Sequence, residues 1–176
     1  DYIMHKTEKK MENGKRLAEL LFPHITKTPE YYEETYPQRD LKEGARVTRF
    51  APSPTGFLHF GNLFTCLISY KTAKSTNGVF YVRVEDTDQK RKIEGAVGVM
   101  LNGLSYFGIV PDEGVIGENE EKGGYGPYYQ SQRKEIYQTF AKRLVEKALA
   151  IPASSTPRNW RNRERRRKTW IKKGIT

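Results

Sequence analysis

Apolar positions along the chain alternate between helical and strand spacing, and their order predicts the elements. Residues 15–22 form a short amphipathic helix. Pro23, Pro29 and Pro37 then punctuate a loop, since proline lacks an amide hydrogen and blocks the turn before it. Residues 45–51, with Val47 and Phe50, read as a strand that ends sharply at Pro52-Ser53-Pro54-Thr55-Gly56. A helix follows over residues 61–76. Leu63, Phe64, Leu67, Ile68 and Ala73 lie near helical spacing, and Asn77-Gly78 terminates it. Residues 79–84 are β-branched and aromatic, as suits a buried parallel strand. A helix over residues 93–107 contains Gly95, Gly98 and Gly103, each weakening it by up to about 1 kcal/mol relative to alanine. A Gly-rich loop occupies residues 108–129. The strongest helical pattern is residues 131–149, with Ile136, Phe140, Leu144 and Ala148 on one stripe and Ser131 as N-cap.

Strand, loop, helix, strand is the βαβ unit of a doubly wound sheet. The expected fold is therefore α/β, a Rossmann-type nucleotide-binding domain with a parallel sheet over residues 45–150. Residues 1–44 form a helical N-terminal extension, and residues 151–176 an irregular tail.

Composition narrows the function classes. At 36% hydrophobic and 30% charged residues with a mean hydropathy of -0.77, the chain is polar. No apolar run approaches the roughly 20 residues of a membrane-crossing helix, and the N-terminus lacks an apolar signal region, so no membrane partner and a cytoplasmic location are expected. Cys66 is the single cysteine, which excludes an internal disulfide and a Cys-rich zinc cluster. The net charge of +10 suggests nucleic acid until it is divided. Residues 151–176 hold nine of the 31 Lys and Arg and one of the 21 Asp and Glu, leaving 22 basic against 20 acidic in residues 1–150. The basicity belongs to the tail.

Two loops carry candidate chemistry. The first follows a strand and opens a helix, where α/β sheets bind ligands and free helix amides attract phosphate. Pro52 and Pro54 fix its backbone, Gly56 and Gly61 permit close approach, and Ser53 and Thr55 offer hydroxyl donors. His59 stands just before the helix, placed to bond a phosphate oxygen. The bland alternative is a proline-rich turn with a surface histidine. The second loop is Arg83-Val84-Glu85-Asp86-Thr87-Asp88 at the end of the next strand. Its carboxylates suit a cation, a helix cap or an amino group, with capping and solvation preferred for Asp88.

The strings themselves say more. Pro52-Ser53-Pro54-Thr55-Gly56 with His59-Phe60-Gly61-Asn62 resembles the HIGH signature of class I aminoacyl-tRNA synthetases in its glutamyl and glutaminyl form, and Arg83 to Asp88 resembles a second glutamyl hallmark. Tyr125 to Arg133 is similar to the family's G-P-Y-R-Q-S-x-R segment, with Tyr129 in place of arginine, and the extension looks like one found in a bacterial branch. The resemblance implies ATP at Pro54, Thr55, Gly56, His59 and Gly61, with magnesium accompanying ATP, and a catalytic set of His59, Gly61 and Asn62. It also implies glutamate at Arg49, Ala51, Ser53 and Glu85, with Glu85 on the α-ammonium group and Arg49 on a carboxylate. A buried arginine there would distinguish that carboxylate from the amide of glutamine. The implied activity is ATP-dependent ligation of glutamate to tRNA(Glu).

Departures from the family set further expectations. The chain has no Lys-Met-Ser run, so it is expected to be an N-terminal fragment, inactive alone, that lacks the KMSKS half. Where the family continues with two cysteines, this chain has Ala153-Ser154-Ser155, and no zinc is expected. The Arg-rich run from Arg158 is either an RNA-binding arm or, preferably, a frame-shifted translation. For one choice of codons, Arg-Asn-Trp-Arg-Asn read two bases later gives Glu-Leu-Glu-Glu, close to the family's sequence. Three other functions stand beside the main one: a glutamyl-queuosine tRNA(Asp) synthetase, a non-catalytic RNA-binding fragment using the basic tail, and another adenylate-forming nucleotidyltransferase.

Overall fold

The computed structural model describes residues 2–56 and 58–150, so the expectations for the basic tail lie outside the described residues. Those residues divide into two compact units, one made of residues 2–21 with residues 144–150, the other Phe22–Arg143.

In the first unit, helix α1 (Tyr2–Leu21) starts well before the residue 15 expected from the apolar pattern. Gly14 is required within it. A Cβ there would lie 2.7 Å from the carbonyl oxygens of Val145 and Glu146.

The second unit holds a four-stranded sheet in the order β1 (Val47–Phe50), β2 (Val79–Val82), β3 (Glu113–Gly117), β4 (Glu120–Lys122). The first three strands run parallel, with Arg49 beside Tyr81 and Phe50 beside Val82, and β4 pairs antiparallel with β3. Helix α3 (Phe60–Ser75) joins β1 to β2 and packs on both. Helix α4 (Ala96–Tyr106) joins β2 to β3 and packs on β3. Phe50, Phe80, Val82, Val84 and Val115 meet Cys66 and Ala73 of α3 and Val97, Met100 and Leu104 of α4 in one apolar core. Each large side chain buried there contributes about 2 kcal/mol. The α/β expectation holds.

Several local expectations are corrected. Pro29 does not break the chain but starts helix α2 (Pro29–Thr35), because the first helical position needs no amide hydrogen and Thr28 caps the turn by accepting from the Tyr31 amide. The 93–107 helix begins later, at Ala96, since Gly95 takes φ 74° and cannot lie inside a right-handed helix. The Gly-rich loop contains the β3–β4 hairpin, turned at Asn119 with φ 67°. Ser131 caps nothing. It lies in a 3-10 turn (Gln130–Arg133) ahead of α5 (Lys134–Glu146), and its hydroxyl is held elsewhere. On α5 the buried residues are Thr139 and Val145, while Phe140 and Leu144 of the expected stripe are exposed. On α3, Phe64, Leu67 and Ile68 face outward and the small Cys66 and Ala73 meet the sheet.

The end of α3 is as the sequence implied, with the labour divided between two residues. Asn77 adopts the left-handed turn (φ 52°), and the amides of Asn77 and Gly78 bond the carbonyls of Lys74 and Ala73. Gly78 is needed for space, because a Cβ would fall 1.9 Å from the Arg46 carbonyl oxygen.

Candidate functional site

The loop after β1 is held against the chain that continues β2. Backbone bonds run from Arg83 N to Phe50 O (3.0 Å), from Glu85 N to Pro52 O (2.8 Å) and from Ile93 N to Pro54 O (2.9 Å). These extend the ladder past the strand ends and set the two motif loops side by side. Pro52 and Pro54 are buried beneath the loop, leaving Ser53 and Gly56 exposed above.

A cavity of about 480 Å³ opens over this edge, lined by Arg49, Ala51, Ser53, Thr55, Gly56, His59 and Asn62 together with Thr65 and Ser69. Seven of the residues singled out from the sequence thus share one cavity. Glu85 reaches it through Arg49, whose Nη1 lies 3.2 Å from Glu85 Oε1. Their side chains are 34% and 37% exposed, so the pair adds little to stability and the buried arginine expected from the sequence is instead half-open to solvent. Pro54 faces away from the main cavity, into a small cleft with Val84, Ala96 and Met100, where it anchors the loop.

His59 is the N-cap of α3 in an extended conformation, and its side chain makes no capping bond. The first helical bond runs from Leu63 N to His59 O, so the amides of Phe60, Gly61 and Asn62 have no acceptor within the helix. Imidazole, three amides and the hydroxyls of Ser53 and Thr55 make an arrangement that fits a phosphate-bearing ligand. A Cβ at Gly61 would lie 3.2 Å from the His59 ring, a tight contact that the exposed ring would relieve by giving a few tenths of an ångström.

The family comparison follows from this geometry. Residues 46–174 match the model of the catalytic domain of tRNA synthetases class I (E and Q). The chain belongs to that family. The glutamate–tRNA ligase of Clostridium perfringens (strain 13 / Type A) is 56% identical over 140 residues, covering 80% of this chain and 26% of the relative. That of Acetivibrio thermocellus is 55% identical over 139 residues, with 78% and 25% covered. Among solved structures, a glutamate tRNA ligase from Elizabethkingia meningosepticum, crystallised in complex with its amino acid, superposes with a TM-score of 0.56 at 36% identity, covering 75% of this chain and 25% of that one. The chain spans about a quarter of the length of the curated relatives it matches. No helix among the described residues is long and apolar enough to cross a membrane.

Within this class I synthetase domain, two groups of residues escaped the sequence reading. Thr65 and Ser69 line the cavity, and with Asn62 they form a polar i, i+3, i+7 stripe among the apolar residues of the first half of the helix, a signal that was present in the sequence. Asp86 is the other. It is 5% exposed and accepts bonds from the Ser131 amide (2.8 Å) and hydroxyl (2.6 Å), tying the second motif loop to the 3-10 turn. Its parity with Val82 and Val84 along the strand direction marked it as inward-facing. Asp88, by contrast, bonds Arg91 at the surface (2.6 Å), and that bond first of all holds its carboxyl below the ordinary value.

Proposed function

We propose that the chain is the ATP- and glutamate-binding portion of a glutamate–tRNA ligase, with residues 45–150 as part of the catalytic core and with tRNA(Glu) as acceptor in the cytoplasm. The observation that carries this reading is that Arg49 and His59 line one cavity beyond the end of β1, with Glu85 of the neighbouring motif loop paired to Arg49. Identities of 55–56% to glutamate–tRNA ligases support the same substrate.

Glutamate carries both signs of charge, and so does the Arg49–Glu85 pair. Arg49 receives a carboxylate and Glu85 the α-ammonium group, while Ala51 and Ser53 form the wall beside them. ATP places its phosphates against the amides that open α3, with Thr55, Gly56 and Asn62 nearby and magnesium accompanying the nucleotide. The glutamate α-carboxylate attacks the α-phosphorus of ATP and pyrophosphate departs. His59 and the amides stabilise charge on the phosphate oxygens as the bond forms. The adenylate then passes its glutamyl group to the terminal adenosine of tRNA. Thr65 and Ser69 line the same cavity.

Calorimetric titration of the chain with glutamate, at a fixed concentration of a non-hydrolysable ATP analogue, tests the reading. Glutamate is expected to bind at least tenfold more tightly than glutamine, and Arg49→Gln to abolish the preference. Equal binding of the two amino acids by the unaltered chain would refute it.

A further inference from the structure

A second cavity, of about 250 Å³, lies on the sheet face opposite the helices. Arg39, Arg83, Arg133, Tyr81, Tyr125 and Tyr128 are among the residues that line it. Arg83 opens the second motif loop, yet the proposed chemistry gives it no task. Its Nε is buried with no hydrogen-bond partner among the described residues, and the same is true of Arg133 Nε. Arg133 Nη1 is spent on the carbonyls of Pro127 (2.8 Å) and Tyr125 (3.3 Å), which fixes its guanidinium without neutralising it.

No carboxylate lines the cavity. The carboxylates bonded to its lining residues are already engaged: Glu113 takes Arg39 (Nη2 to Oε2, 2.7 Å) and the Tyr128 hydroxyl (3.0 Å), and Glu121 takes the Tyr128 amide (3.0 Å), while Glu85 beyond Arg83 pairs with Arg49. Three guanidinium groups thus line a cavity beside two carboxylates that already have partners, Glu113 with Arg39 and Glu121 with the Tyr128 amide. Arg83 and Arg133 are half-buried, and a cation partly withdrawn from water favours a counter-charge, which a water molecule bound to an N–H would not supply. The guanidinium N–H donors of arginine suit the oxygens of an oxyanion, and tyrosine rings line the rest of the cavity.

We propose that this cavity is a binding site for a phosphate-class oxyanion, held by Arg83 and Arg133 and separate from the catalytic cavity. Arg39, and the Tyr36 that also lines the space, come from the residues preceding β1. Tyr36 stacks on Tyr125, and the Tyr125 hydroxyl bonds Pro37 O (2.9 Å). An anion seated there therefore fastens the segment ahead of β1 to the sheet.

The test is the melting temperature of the full chain in inorganic phosphate against chloride at equal ionic strength, for the unaltered protein and Arg83→Met. Phosphate at about ten times its dissociation constant is expected to raise the unaltered protein's melting point by about 4 °C and that of Arg83→Met by clearly less, since the amides that open α3 can take phosphate in both chains. Glycerol 2-phosphate in a parallel arm separates the sources. A larger shift than with phosphate points to a phosphomonoester, an equal one to the free ion, and both bear out the site. No shift in the unaltered chain, or the same shift in Arg83→Met, overturns it. Should Arg83→Met not fold, the arginine Nε–H resonances of the unaltered chain decide: those of Arg83 and Arg133 move on adding phosphate, and stationary peaks overturn the site.

Discussion

Strand β2 and the extended chain that continues it to Glu85 have two faces that do different work. Phe80, Val82 and Val84 point inward and are closed off by α3 and α4, whereas Tyr81, Arg83 and Glu85 point outward with Arg49 alongside in register. One residue of travel along the strand changes the environment from a dry apolar core to a charged surface with two cavities. The alternation lets the sequence place chemistry at every second position without disturbing the packing beneath it. It also explains why the outer positions could be read for function and the inner ones only for fold.

Truncating each face in turn gives the largest contrast. Phe80→Ala removes a fully buried ring and is expected to destabilise the fold by about 4 kcal/mol, while Tyr81→Ala, which removes a half-buried ring packed beside Tyr128, is expected to cost about 2 kcal/mol. Urea denaturation of both variants measures the difference. Similar losses at the two positions would mean that the outer face is packed as tightly as the inner one.

The outer face has its own anchor, which sharpens the comparison because it depends on charge. Glu113 is held below the ordinary carboxylate range by the hydrogen bond from Arg39, opposed by burial and assisted by Tyr128. A depressed carboxyl stabilises the fold above the unfolded value of about 4.3 and loses that contribution as pH falls through its lowered folded value. Glu113→Gln is expected to cost about 2 kcal/mol at neutral pH, since it leaves Arg39 without its counter-charge. The gap from the unaltered protein should close below about pH 4. Urea melts at several pH values follow it, and Phe80→Ala should show no such closing. A gap that persists into acid would remove the ion pair from the account.

The inner face was the more legible one. Alternation gave β1, a β-branched and aromatic run gave β2, helical spacing gave the helix between them, and the motif strings singled out Arg49, Ser53 and His59, which share one edge. The β3–β4 hairpin was hidden because its defining residue is a glycine with a tertiary cause. Gly114 has φ 104°, and a Cβ there would lie 2.1 Å from the Val82 carbonyl oxygen. Read alone, Glu113-Gly114-Val115 looks like loop. Ser131 misled for the same reason: its hydroxyl had a local role to offer, but the buried Asp86, distant in sequence, claims it. Local patterns identify elements, and contacts between elements far apart in sequence decide which side chains are free to act.

Helix α3 shows the limit of that lesson, because its apolar residues surround it and periodicity alone did not choose the buried side. Cys66 is 0% exposed, and burial pushes its thiol up to about 12, whereas Phe64 two residues earlier is 54% exposed. Phe64→Gln should therefore change stability by no more than about 0.5 kcal/mol, the smallest effect anticipated. Alkylation of Cys66 at pH 8 should proceed on the order of a thousandfold more slowly in the folded chain than in urea, since so little thiolate is present, and Phe64→Gln should leave that ratio intact. A loss above about 1 kcal/mol, or rapid labelling in the variant, would put Phe64 in a packed layer and reverse the assignment of the two sides of the helix.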